Sequence, residues 1–266
     1  MFITMPTTHL DVPQLRTQFQ ELGLPWEISY HPTSRSTQLD AHGLIATHGP
    51  GQWLVIAERQ EGGRGRGGRR WLSDIGDLAA TWTVPLELAP ERYAKLTLLG
   101  GLIAAEAIRE VMGIAVGVKW PNDIYWDGQK CGGCLGELRL TPTLPVACLG
   151  IGINLVPKDL TLLDSPPMYP VVHVPSDDPA ATRDALLLAI SRMLHERATW
   201  VHPEHDADFG AWWNALHVMG SAPIRVMLPG NTELTGIPGG LTPHGELLVT
   251  DESGASHVVA AGDVHL

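Results

Sequence analysis

The 266-residue chain carries 18 Lys and Arg against 29 Asp and Glu, a net charge of -11, and 44% of its residues are hydrophobic. That length allows one large domain plus a small one, and the acidic balance speaks against a surface that binds nucleic acid or anionic membranes at large. Any anion site must be local.

Met1 to Val12 lack the basic flank, apolar core and small-residue cleavage site of a secretory signal, and no apolar run reaches membrane-spanning length. Three cysteines suit a reducing compartment better than a disulfide framework, so a cytoplasmic protein is expected. Asp11 to Gly23 reads as a short helix. Only about thirty residues precede the first informative motif, too few for an added helix-turn-helix domain and its linker, so no DNA-binding module is expected.

Trp53 to Ala57 is a buried-strand run that leads into the polar, glycine-rich segment Glu58 to Arg70. Tyr93 to Met112 reads as a long helix with Pro90 near its start and Gly113 past its end. Gly100 and Gly101 inside it predict a close-packed neighbouring backbone. Val116 to Trp120, Cys134 to Leu140 and Val146 to Leu155 read as strands, and Ala180 to Trp200 and Asp206 to His217 as helices. Strands in succession with flanking helices predict an α+β fold built on a mixed or antiparallel sheet. From Ala222 the texture changes to short strands, Ile224 to Leu228, Glu233 to Ile237, Glu246 to Thr250 and His257 to Ala260, separated by Gly-rich turns. A small appended β-barrel is expected there.

The loop Gly63-Arg64-Gly65-Arg66-Gly67-Gly68-Arg69-Arg70-Trp71 alternates flexible backbone with guanidinium groups. Glycines let backbone N–H groups approach a phosphate, and arginines supply forked, permanently charged donors. Glu58 to Trp71 holds five arginines against two glutamates, a local +3 on an acidic chain. Taken alone, the loop fits a disordered RNA-binding tract equally well.

Two further segments follow. Val118 to Glu137 reads V-K-W-P-N-D-I-Y-W-D-G-Q-K-C-G-G-C-L-G-E, with Lys119 ending a predicted strand and Pro121-Asn122-Asp123 turning the chain. A lone strand-end lysine is usually a solvated one. Gly150-Ile151-Gly152-Ile153-Asn154 follows an apolar strand, and strand glycines mark close approach of a ligand or second backbone. Asn154 suits a phosphate or metal contact and a turn-stabilising role equally.

Together these segments resemble the biotin protein ligases, in which a glycine-arginine loop, a Lys-Trp-Pro-Asn-Asp element with a following Lys-x-Gly-Gly-x-Leu-x-Glu, and a Gly-x-Gly-Ile-Asn strand occur in this order. The resemblance covers Ser34 to Asn154. Ser36-Thr37-Gln38 looks like the family's Ser-Thr-Asn element with Gln for Asn, and Gln60 matches the glutamine before the loop. Gly67 stands where some members carry another arginine.

The resemblance implies a biotin/lipoate ligase-like catalytic domain over residues 1–220, with the small C-terminal β-barrel over 221–266, in the form without an N-terminal DNA-binding domain. It implies an ATP-dependent ligase that makes biotinyl-5'-AMP and passes biotin to a lysine of a biotin carboxyl carrier protein. ATP with Mg2+ and biotin are the substrates; no prosthetic group, protein metal site, DNA or membrane is involved, and a homodimer is allowed. It gives Lys119 and Arg66 catalytic roles, and Ser36, Thr37, Gln38, Gln60, Arg64, Gly65, Arg66 and Lys119 to biotin. Arg66, Arg69, Trp71, Lys119, Asn122 and Asn154 go to ATP, with the loop as a lid; Trp71 suits adenine stacking and core packing equally.

Two other readings stand beside this one: a lipoate or octanoate attachment enzyme of the same superfamily, and a non-enzymatic nucleic-acid binder or biotin-sensing repressor. Cys131-Gly-Gly-Cys134 matches a bare C-x-x-C, but no second pair follows, so small packed residues are expected rather than a zinc or redox site. His202, His205, Asp206 and Asp208 read as a solvated helix start.

Overall fold

The apolar runs enter a sheet of seven strands, and the tail forms a second sheet of five. The structure is a computed structural model in which residues 9–163 and 166–266 are described; the expectation for Met1 to Val12 falls outside that range for its first eight residues. In chain order the elements are α1 (Val12–Glu21), β1 (Glu27–Ser34), α2 (Thr37–His48), β2 (Trp53–Gln60), β3 (Leu78–Pro85) and α3 (Ala94–Met112). There follow β4 (Gly117–Lys119), β5 (Asp123–Trp126), β6 (Gln129–Arg139), β7 (Val146–Ile153), α4 (Pro179–Arg197) and α5 (Asp206–Leu216). The tail is β8 (Ile224–Leu228), β9 (Thr232–Leu241), β10 (Leu247–Thr250), β11 (Ser256–Val259) and β12 (Asp263–His265).

Local chemistry sets the helix ends. The Asp11 and Asp178 carboxylates accept from the backbone N–H groups of Gln14 and Ala181, and a proline occupies the first turn of both α1 and α4. Gly113 closes α3 at φ 68°, a left-handed conformation that glycine adopts without a Cβ penalty.

The first sheet runs β1-β2-β3-β7-β6-β5-β4; β1 and β2 are parallel and every other pair is antiparallel. This is the mixed sheet expected. α3 packs against β6 and β7 on one face and α4 packs on α3, whereas α2 lies against β2, β3 and β7. The period of two along β7 decides which side chains meet which layer: Leu149, Ile151 and Ile153 join the buried core, and Gly150 and Gly152 alternate with them. The glycines leave the opposite face open, and the functional site lies there.

Three expectations change. β1, α2, β3, β5 and β12 were not anticipated, because their short mixed patterns carry no sustained period. The tail is barrel-like but not closed: its order, β11-β10-β9-β8-β12, leaves β11 and β12 unpaired with each other. What approaches Gly100 is a side chain and not backbone, since an added Cβ would lie 2.3 Å from the Cys134 Sγ. That sulfur is buried, as are those of Cys131 and Cys148; all three are free thiols whose pKa burial pushes up to about 12. Such thiols suit packing, and no cluster of metal-binding side chains occurs among the described residues.

Candidate active site

On the face vacated by Gly150 and Gly152 lies a cavity of about 470 Å³, within the range of small-molecule sites. Its floor is neutral and polar. Ser36, Thr37 and Gln38 enter at the N-terminal turn of α2, Gln60 ends β2, and Thr81 comes from β3. The Thr37 backbone N–H donates to Gln60 Oε1 at 2.9 Å, which fixes the orientation of that amide. Thr81 Oγ1 lies 2.9 Å from Thr37 Oγ1 and 3.1 Å from Gln38 Oε1.

Gln38 is more confined than a ligand-contacting amide needs to be. Its Nε2 donates to Glu137 Oε2 at 3.0 Å and to the Cys148 carbonyl at 3.2 Å, so both ends of the amide have partners within the protein. Its length is accommodated by Gly150, where an added Cβ would lie 2.7 Å from Gln38 Oε1. Glu137 is also 3.1 Å from His42 Nε2, whose pKa is lowered by burial, with Glu137 opposing that shift.

The arginine loop is a hairpin that extends β2. Gln60 bridges Ser73, Trp71 N–H donates to the Gly63 carbonyl at 2.9 Å, and Gly65 N–H donates to Arg69 O at 2.7 Å. Gly67 and Gly68, at φ 68° and 76°, turn the tip; two successive left-handed residues need glycine, so an arginine at Gly67 is unsuited to this turn. The loop reaches across to the second sheet: Arg66 Nη1 donates to the Gly262 carbonyl at 2.8 Å, and Arg69 Nη2 pairs with Asp263 at 2.9 Å. Arg66 is also 3.3 Å from Asp263, so one carboxylate serves both guanidinium groups.

Trp71 lies against the glycine strand, where a Cβ on Gly152 would come within 2.5 Å of its ring. It is a cavity wall and not a core residue. Asn122 Nδ2 donates to the Cys134 carbonyl, and Asn154 Nδ2 to the Val172 carbonyl at 3.0 Å; the second bond ties down the segment that carries Met168 and Tyr169 along the cavity.

Of the residues expected at the site, Ser36, Thr37, Gln38, Gln60, Arg64, Gly65, Arg66, Arg69, Trp71, Asn122 and Asn154 all line this one cavity. Lys119 does not. Its side chain is 1% exposed, and its ammonium donates to the Val264 carbonyl at 2.9 Å, lies 3.4 Å from Asp123 and sits 3.2 Å from the centre of the Tyr169 ring. Burial lowers its pKa to about 8, Asp123 opposing. Two lysines line the cavity: Lys130, which pairs with Asp123 and lies 5.7 Å from the Trp71 ring centre, and Lys158, which pairs with Asp77. Lys130, Asp123 and Thr81 line the cavity and were not among the residues expected there. The signal for Lys130 was its place at the start of the glycine-rich strand β6.

Residues 31–154 match the model of the biotin/lipoate A/B protein ligase family. The biotin--[acetyl-CoA-carboxylase] ligase of Paracoccus denitrificans is 30% identical over 242 residues, spanning 86% of this chain and 97% of that protein. The bifunctional ligase/repressor BirA of Bacillus subtilis is 37% identical over 132 residues, which are 47% of this chain and only 39% of that longer relative. A biotin protein ligase from Aquifex aeolicus, solved with biotin and ATP, shares the fold with a TM-score of 0.67 at 24% identity, covering 90% of this chain and 97% of that one. With the Paracoccus denitrificans relative 30% identical over 86% of this chain, and the family model spanning most of the segments that build the cavity, the chain belongs to the biotin/lipoate A/B protein ligase family.

Proposed function

We propose that this chain is a biotin protein ligase that joins biotin to ATP as biotinyl-5'-AMP and then transfers biotin to a lysine of a biotin carboxyl carrier protein. The observation that carries this reading is the division of one cavity into a neutral hydrogen-bonding floor and a cationic wall. Thr81 on β3 is level, through Gly150, with Leu135 on β6, and Lys130 lies five residues away along that strand, so the polar floor and the cationic wall occupy separate ends of the cavity. A ligand with an uncharged polar head, an apolar chain and a terminal carboxylate matches that order.

In the first step a carboxylate oxygen attacks the α-phosphorus of ATP, an O–P bond forms and pyrophosphate leaves. The obstacle is repulsion between two anions, so fixed positive charge is the main catalytic resource. Lys130 supports this role by lining the cavity, and Arg66 and Arg69 by reaching it from the hairpin. Lys119, expected to bridge the carboxylate and the α-phosphate, stands directly behind Asp123 and Tyr169 of the cavity wall, within reach of the same role. In the second step the carrier's lysine amine attacks the acyl carbon and AMP departs, so the chain needs no nucleophile of its own. The mixed anhydride must be shielded from water, a task suited to the hairpin lid.

Mg2+ belongs to this proposal as the companion of the ATP polyphosphate. Asp123 is the sole carboxylate among the described cavity residues and already pairs with Lys119 and Lys130, so the phosphates would supply most of the metal's ligands. A cytoplasmic location is part of the same reading, supported by three unpaired cysteines; no described helix is long and apolar enough to cross a membrane.

The test is transfer of radiolabelled biotin, with ATP, to a carrier domain. Label on the carrier is expected, and its absence beside an active control enzyme overturns the proposal. Lipoate outcompeting biotin would move the assignment to the other branch of the family.

A further inference from the structure

We infer that Glu137 is a positioning residue for the ligand's head group: its carboxylate holds the Gln38 amide with the carbonyl oxygen turned to the cavity floor, so that the floor selects a head bearing N–H donors. This inference rests on the ligase reading above. Glu137 is not itself among the residues lining the cavity. It stands on β6 two residues beyond Leu135, which does line it, and so on the same face of that strand.

An amide has two orientations, and the surroundings of Gln38 accept one. The Glu137 carboxylate at 3.0 Å and the Cys148 carbonyl at 3.2 Å have no hydrogen to donate, so both require the amide nitrogen. Cys148 on β7 is the register partner of Glu137, which sets these two acceptors side by side. The Gln38 oxygen then points the other way, toward the Thr81 hydroxyl at 3.1 Å. That hydroxyl has one proton and also lies 2.9 Å from Thr37 Oγ1, so it satisfies at most one lone pair of the Gln38 oxygen. Gln38 is 5% exposed, and the remaining lone pair is left for a donor on the ligand.

The cyclic urea of biotin supplies N–H donors and the dithiolane of lipoate supplies none, so this orientation favours biotin. Gln60, the second amide of the floor, is fixed by its oxygen instead, through the Thr37 N–H, and the two amides therefore present opposite polarity. Of the two groups that orient Gln38, only Glu137 is charged, and a charge-assisted bond is about twice as strong as a neutral one. His42 on α2, with Nε2 at 3.1 Å from the same carboxylate oxygen, supports it from the far side.

The experiment measures biotin binding by calorimetry on the full chain, and kcat and KM for biotinyl-adenylate formation. Glu137→Met, which has no carboxylate to accept from Gln38, is expected to weaken biotin binding about tenfold with kcat within about twofold. Glu137→Gln still turns a carbonyl to the Gln38 nitrogen and is expected to stay within about threefold of wild type. In a Gln38→Met background Glu137→Met is expected to add nothing, since a residue that acts through another loses its effect once that other is gone.

The Glu137 side chain is 42% exposed, so both variants should melt close to wild type. Unchanged biotin affinity in Glu137→Met overturns the inference, and so does an equal further loss in the Gln38→Met background or a loss that falls on kcat. Wild-type protein that binds no biotin defeats the ligase reading; a biotin-binding wild type with indifferent variants defeats this inference alone.

Discussion

Two clusters of charge flank the cavity, each with two cations sharing one carboxylate, and they are built on opposite plans. Lys119 and Lys130 share Asp123 inside the seven-stranded sheet, where the three side chains are 1%, 22% and 7% exposed. Arg66 and Arg69 share Asp263 across the gap to the second sheet, where the corresponding exposures are 30%, 42% and 32%. The first set is held by strand register and by burial, and the second by pairs that water and salt can loosen. The proposed reaction, which takes up ATP and releases AMP, would use both: a buried, strand-held cation, and exposed cations that can leave one anion for another.

The largest effect should come from breaking the rigid set. Lys130→Met is expected to cost about 4 kcal/mol of transition-state stabilisation, read as kcat/KM for adenylate formation, with biotin binding by calorimetry much less affected. A loss confined to biotin affinity would move Lys130 from the chemistry to recognition. Next comes the wall beside it. Gly152→Ala drives a Cβ to 2.5 Å from the Trp71 ring, and overpacking of this kind costs about 1–3 kcal/mol, so weaker ATP binding is expected with the fold intact by circular dichroism.

Titration sharpens the same contrast. The folded Lys119 ammonium, lowered to about 8, gives up its proton before the unfolded lysine does near 10.5. Between those values the unfolded state binds more protons, so wild-type stability should rise with pH relative to Lys119→Met, by about 1 kcal/mol per pH unit at most, and the difference should flatten below about pH 7. Urea midpoints across pH 7 to 10 measure it; a difference that shrinks as pH rises would reverse the sign. The smallest effect belongs to the exposed set. Asp263→Asn frees Arg66 and Arg69 for phosphate and should lower KM for ATP by about twofold to fivefold, the scale of a surface ion pair, with the gain fading in high salt. An increase in KM would mean that Asp263 presents the arginines and does not compete for them.

Legibility in the sequence followed the length of the pattern. α3, α4 and α5 were readable from sustained periodicity and terminal Pro and Gly, and β7 from an apolar run with two glycines. β12, three residues long, carries no pattern at all, yet it supplies Asp263 and the Val264 carbonyl. Tyr169 and Met168 were equally silent, because a loop segment lines a cavity through contacts such as Asn154 to Val172 that no local rule predicts.

What the sequence determined by itself was the chemical inventory: a local concentration of cations on an acidic chain, the polar trio at Ser36 to Gln38 with Gln60, and glycines where strands must stay bare. That Lys130 lines the cavity and Lys119 lies behind it was decided only by tertiary structure. Lys119 and Lys130 are separated by a β5–β6 hairpin whose register shifts between Ile124 and Tyr125, and a one-residue shift exchanges the two faces of a strand. The pairing of Arg69 with Asp263, 194 positions apart, is likewise a product of how two sheets pack. Residue type limits what a side chain can do; register and packing decide what it meets.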